Sequence, residues 1–185
     1  MKNSFLKKSL SKTSMVYILV VVVIAGLAGV IIQDRYDALA KDRDAVRISD
    51  INHIRYALGK YHDQHGVYPA CLYATQDCTS LEGSFAMTQV PLDPLTNEEY
   101  SYAAIATGAQ CTSYHLGISL ERKVSQALLT GSDAPPRAES QLCKGSSSDF
   151  SGLSFAPGGE PCNAIAGIAQ PTDSQNGETC YDVKP

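Results

Sequence analysis

Residues 15 to 32 read MVYILVVVVIAGLAGVII, 18 residues without a charge. No other feature restricts the chain as much. As a helix rising about 1.5 Å per residue, the run spans roughly 27 Å, close to the hydrocarbon thickness of a bilayer. Lys2, Lys7, Lys8 and Lys12 precede it, with no acid among the first 14 residues, and Asp34, Arg35 and Asp37 follow it. The lysine excess assigns the N-terminal side to the cytoplasm and the bulk of the chain to the far side of an inner or plasma membrane, periplasmic or extracellular. Two other readings compete. A buried core helix sits badly with an uncharged run behind a basic head. A cleaved signal peptide has the same basic start and the small residues Ala25-Gly26-Leu27-Ala28. The apolar run is long for a signal peptide, however, and a helical pattern continues straight out of it. The expectation is a single-pass anchor.

Charge and cysteine follow the same division. The net charge is −4, and removing the four leader lysines leaves −8 for the rest. An acidic outer part argues against a nucleic-acid partner, since phosphate binding needs clustered cations. Cys71, Cys78, Cys111, Cys143, Cys162 and Cys180 all lie beyond the apolar run. An even count in an exported domain predicts disulfides rather than reduced thiols. No CxxC pair occurs, and the Cys and His spacings match no zinc pattern. Three of the cysteines fall in residues 71 to 111 and three in 143 to 180, so full pairing requires at least one bridge between the groups. Six cysteines otherwise leave about 15 connectivities open.

From Gln33 to His65 there is no proline, and Gly59 is the only glycine. Ala45, Ile48, Ile51, Ile54 or Arg55, Leu58 and Tyr61 recur at three- and four-residue steps, the mark of one apolar helix face. Asp37 with Lys41, Lys41 with Asp44, and Arg47 with Asp50 read as solvated pairs on the other faces. The expectation is one helix of about 50 residues, half in lipid and half amphipathic. Gly66, with Pro69 three residues on, is its stop signal. Cys71 and Cys78 bracket a loop. Pro91-Leu92-Asp93-Pro94-Leu95-Thr96-Asn97 reads as a turn. Tyr100, Tyr102 and Ala104, then Tyr114, Leu116, Ile118 and Leu120, alternate with polar or small residues, which predicts two half-buried strands. The break at Thr107-Gly108-Ala109-Gln110 suits a hairpin. The apolar strand face then covers the apolar helix face, giving an α+β unit. The last 55 residues hold 7 of the 14 glycines and 6 of the 9 prolines and lose all periodicity. They read as an irregular, disulfide-bearing extension or a partly disordered tail. The expected organisation is a basic cytoplasmic leader over residues 1–14, a transmembrane helix over 15–32, an extracytoplasmic α+β domain over 33–130, and the extension over 131–185.

That order of parts resembles type IV pilins and type II secretion pseudopilins. Residues 54 to 69, IRYALGKYHDQHGVYP, are similar to the helix exit of the major pseudopilin, with Ala57-Leu58, Tyr61, Gly66 and Tyr68-Pro69 in its pattern. Pro91, Asp93 and Pro94, followed by Tyr100 and Tyr102, resemble its turn and first strand. Residues 114 to 121 resemble the strand that closes its sheet. The resemblance covers residues 15 to 121 and implies a pilin-like fold, a structural role, and other pilin-like subunits or secretion machinery as partners. It departs at the start, where the family has a Gly before the mature N-terminus and a Glu at its fifth position. Here no glycine precedes Gly26, and Tyr17 stands in the Glu position. Leader cleavage is therefore not carried over. Nor is calcium, because residues 131 to 137 read GSDAPPR in place of an acidic loop.

No enzyme motif is present: no G-x-S-x-G, P-loop or H-E-x-x-H. Neither catalysis nor a metal or other cofactor is expected. His62 and His65, with Asp63 between them, stand close enough on a helix for one metal, but read as solvated helix-end residues. Asp93 reads as a turn residue accepting backbone N–H groups, with cation binding or base catalysis as the alternative. Glu98 and Glu99 read as solvated surface. Tyr100, Tyr102 and Tyr114 suit cross-strand packing, with an aromatic ligand platform as the alternative. Two functional expectations result. One is a pilin-like subunit that assembles, with Ala25, Gly26, Ala28 and Gly29 allowing helices to approach closely. The other is a membrane-tethered binding module on the same scaffold that does not polymerise.

Overall fold

The computed structural model describes residues 12–74, 78–124, 136–150 and 178–185. The chain divides into two units, Met1–Leu39 and Ala40–Pro185. One helix, α1 (Lys12–His65), contributes to both.

In the first unit α1 carries the apolar run. Its large apolar side chains between Met15 and Ile32 are each 49–73% exposed. The best window has a mean hydropathy of 3.0 with none of it buried. By length and composition this helix can cross a membrane. Most of the basic leader, residues 1–11, lies outside the described residues.

In the second unit α1 buries Ile51, Ile54, Ala57, Leu58 and Tyr61 on one face. The stripe expected from sequence is corrected at its start. Ala45 is exposed and Ile48 only half-buried, while Asp44 and Arg47 are buried. Arg47 lies four residues before Ile51, so the phase of the face carries it inward. Gly66 ends the helix at φ +71°, a left-handed conformation that a Cβ disfavours, and its N–H donates to the His62 carbonyl at 2.7 Å. The chain then turns through buried Pro69 into a loop closed by the Cys71–Cys78 disulfide, with Leu72 and Leu81 packed beneath it.

The sheet is β1 (Ser101–Thr107), β2 (Gln110–Val124) and β3 (Glu178–Val183), antiparallel in that order. The expected hairpin stands, with Gly108 at φ +64° in its turn. Tyr102, Ala104, Tyr114, Leu116, Ile118, Leu120, Tyr181 and Val183 form one core with the α1 face. Burying each large apolar side chain contributes about 1.5–3 kcal/mol, so this interface is the main stabiliser of the unit.

Two expectations change here. The strands were expected to be half-buried, yet residues 114–120 are buried on both faces. The second face is covered by residues of the extension, including Phe150, which clusters with Cys180. The extension is also not irregular throughout. Residues 178–183 form β3, with Leu116 opposite Val183 and Ser119 opposite Cys180. The bridge Cys111–Cys143 joins the two cysteine groups, as full pairing requires. Cys180 is disulfide-bonded as well. Cys162 and most of the 131–185 extension lie outside the described residues.

Candidate functional site

The polar residues of the Ala40–Pro185 unit gather into two buried charge clusters and a frame of tyrosine hydrogen bonds. The first cluster is built on Arg47, which is 0% exposed. Its Nε and Nη2 donate to Asp93 at 2.6 and 3.1 Å, and its Nη1 donates to Asp44 at 2.8 Å and to Glu121 at 2.7 Å. Arg43 adds a two-pronged contact to the same Glu121, at 2.7 and 2.5 Å. Asp44 in turn accepts the backbone N–H groups of Glu121 and Arg122 at 2.9 and 3.1 Å. One guanidinium thus joins the helix, the 91–97 turn and β2. Burial opposes the charge on Arg47, Asp93 and Glu121, but their mutual hydrogen bonds win. Arg47 is pushed up, while Asp93 and Glu121 are held below the usual carboxylate range.

Asp93 does what the turn reading expects and more. Its Oδ1 accepts the N–H groups of Leu95 and Thr96 at 2.8 and 3.0 Å while the same carboxylate takes Arg47. Pro91 presents its carbonyl to the Tyr73 hydroxyl at 2.8 Å. Pro94 is exposed in the turn. The Tyr100 N–H donates to the same Tyr73 hydroxyl at 3.0 Å, and the Tyr100 hydroxyl donates to Asp50 at 2.7 Å. Asp50 is therefore Tyr100's acceptor and not the partner of Arg47, which corrects the expected solvated pair. The Tyr102 hydroxyl donates to the Pro69 carbonyl at 2.8 Å. Tyr68 lies on the His62 ring at 4.6 Å and meets the Tyr114 ring edge-on at 4.9 Å. Burial holds the Tyr73, Tyr100 and Tyr102 phenols well above their ordinary value. Gly66, Tyr68, Pro69, Pro91, Asp93, Pro94, Tyr100 and Tyr102 are thus brought onto the helix exit, the turn and the strand they lead into. The two histidines expected at the helix end are taken up separately: the His65 ring stacks on Tyr61 at 4.1 Å and His62 on Tyr68. Among the described residues, no three His, Cys, Asp or Glu side chains are arranged so that they could hold one metal ion.

The second cluster was not foreseen. His115, on β2, is 1% exposed. Its Nδ1 lies 2.7 Å from Asp149 Oδ1 and its Nε2 lies 2.9 Å from Asp182 Oδ2. The Phe150 ring stacks on the imidazole at 3.9 Å. Alternation placed His115 on the polar side of a half-buried strand. The covering residues lie 34 and 67 positions away, and no local pattern announces them.

Two of the open clefts among the described residues flank the frame. One, of about 550 Å³, is lined by residues including Tyr61, Tyr68, the Cys111 and Cys143 pair and Lys144. The other, of about 400 Å³, is lined by residues including Arg55, Tyr56, Tyr68 and Tyr114. The charged side chains lining them are the exposed Lys144 and the half-buried Arg55. What the buried groups do is hold elements together. Comparison with protein-family models, with curated proteins and with solved structures returns no match to this chain.

Proposed function

We propose that the chain is a membrane-anchored, pilin-like structural subunit of a type II secretion or type IV pilus-like system, whose work is assembly. The observation that carries this reading is that one helix is both anchor and core. α1 supplies the exposed apolar run of residues 15–32 and, further along, the face on which the sheet is built. A soluble domain has no use for the first half, and a simple tether does not need the second half to be continuous with it. The motif residues add support. Pro69, Pro91, Asp93, Tyr100 and Tyr102 carry the bonds that fix the helix exit against the turn and β1. Ala25, Gly26, Ala28 and Gly29 leave room for a neighbouring helix to approach. On this reading the leader is cytoplasmic, the Ala40–Pro185 unit lies in the periplasm or outside the cell, and the partners are other pilin-like subunits or secretion machinery.

Tyr17 in the Glu position, and the lack of a glycine before Gly26, favour the second reading of a permanently tethered module. Intact mass and N-terminal sequencing of the membrane-extracted protein separate the two. A new N-terminus just before the apolar run, especially an N-methylated one, is the result expected of a filament subunit. A leader retained from Met1 or Lys2 moves the assignment to the tethered module. A start beyond Ile32 removes the anchor and with it both readings.

A further inference from the structure

His115 faces a carboxylate on each side of its ring. Asp149 lies against Nδ1 and Asp182 against Nε2. A neutral imidazole has one N–H and one lone pair, so it satisfies one carboxylate and turns a lone pair on the other. Only the charged ring donates to both. The two carboxylates belong to different parts of the chain, Asp182 to β3 and Asp149 to the segment after Cys143. Asp149 is itself a hub: its Oδ2 accepts the Arg137 N–H at 2.6 Å and its Oδ1 the Phe150 N–H at 2.9 Å. The root of the segment is held differently, by the Cys111–Cys143 disulfide, by the Cys143 N–H on the Ala104 carbonyl at 2.9 Å, and by the Ala104 N–H on Ser146 Oγ at 2.8 Å.

We propose that His115 is a proton-operated latch: its charged ring holds the strap of residues 147–150 on the outer face of the sheet, and its neutral ring releases the strap while the Cys111–Cys143 disulfide and the Ser146 hydrogen bond keep the root attached. Release uncovers the Phe150 ring and the sheet face beneath it without unfolding the helix–sheet core, which lies on the opposite face. Among the described residues, the charged groups facing the ring are Asp149 from the strap and Asp182 from β3. β1 contributes Ala103, which pairs opposite His115 and does not titrate.

The direction follows from the partners. Burial disfavours the imidazolium, but the hydrogen bonds and charges of Asp149 and Asp182 outweigh it, so the His115 pKa is raised. A raised value in the closed state means that latching is complete below the ordinary histidine pKa of about 6.5 and fades as pH rises from there through the raised value. Linkage of one proton sets the slope, a loss of up to about tenfold in the closing equilibrium per pH unit across that interval, with a plateau above it.

The test is hydrogen exchange by NMR on the full chain in detergent micelles, with protection factors corrected for the pH dependence of intrinsic exchange. The His115 ring resonances are followed in the same samples. The expected result is that the Arg137 and Phe150 amides lose protection in step with the ring's own titration, while amides of residues 51–58 keep theirs. Asp149→Asn, which keeps the shape and removes one charge, shifts the loss to lower pH. His115→Gln leaves the strap open throughout. Strap protection that stays flat across the titration of His115, or that falls together with the helix core, overturns the latch. So does a His115→Gln strap as protected at pH 5 as the native one. The wild-type measurement decides even if a variant does not fold.

Discussion

A guanidinium without exposed surface needs acceptors for the donors it buries, and Arg47 places four hydrogen bonds on Asp44, Asp93 and Glu121. Removing one side of such an arrangement leaves the other side charged and dry. Arg47→Ala is therefore expected to destabilise the Ala40–Pro185 unit by ~3–5 kcal/mol, read from urea unfolding of the full chain in detergent. Arg47→Lys recovers little of this, because a single ammonium cannot reproduce the fork. A loss below about 1 kcal/mol for the alanine variant would contradict the clamp. At this scale the sequence was half legible. The proline-flanked Asp93 announced a turn residue, and it does accept the Leu95 and Thr96 amides. Arg47 three residues from Asp50 looked like an ordinary solvated pair. Only its phase, four residues before buried Ile51, hinted otherwise, and phase is weak beside the rule that arginine stays outside. His115 carried no hint at all, since its partners arrive from distant parts of the chain.

The elements were more legible than the residues. The continuous helix, the glycine that ends it and the hairpin all follow from local periodicity and turn chemistry, which act within a few residues. β3 did not stand out. Its alternation, Tyr181 and Val183 inward against Cys180 and Asp182, spans six residues inside a stretch rich in glycine and proline, and both sets are buried. A strand covered on both faces by a mixture of polar and apolar groups offers no clean period of two. The disulfides act at this scale through the loops they close. Cys71–Cys78 spans 7 positions and Cys111–Cys143 spans 32. By chain entropy the first contributes about 2–3 kcal/mol and the second about 3–4 kcal/mol. Paired serine replacement at 111 and 143 is expected to lower the unfolding midpoint more than replacement at 71 and 78. Denaturant titration of the two variants checks the order, and a reversed order would show that local packing, not loop closure, dominates.

For the molecule as a whole, the shifted groups combine into a pH profile with three limbs. Asp93, Glu121 and Asp149 are held below their ordinary values, each against the opposing pull of burial. Their stabilisation is present above the ordinary carboxylate range near 4 and is lost as pH falls through the depressed values. His115 is raised, so its share is complete below about 6.5 and disappears above. Tyr73, Tyr100 and Tyr102 are raised too, so a further loss begins near pH 10, where the unfolded phenols ionise first. Chemical denaturation across pH is expected to give a maximum between about 5 and 6.5, an acid descent, and an alkaline descent in two steps. A maximum at pH 8 or above would mean that the histidine contributes nothing.

The Arg47 clamp also bears on how such a sequence can drift over generations. Three carboxylates share the Arg47 guanidinium, and Glu121 has Arg43 besides, so losing Arg47 strands Asp44 and Asp93, whereas changing the group together to well-packed neutral residues removes the buried charges at once. Inheritance should therefore move positions 44, 47, 93 and 121 as a block. A lineage that carries an apolar residue at 47 while keeping all three carboxylates would be expected to die out, or to have found another cation to take the vacated place.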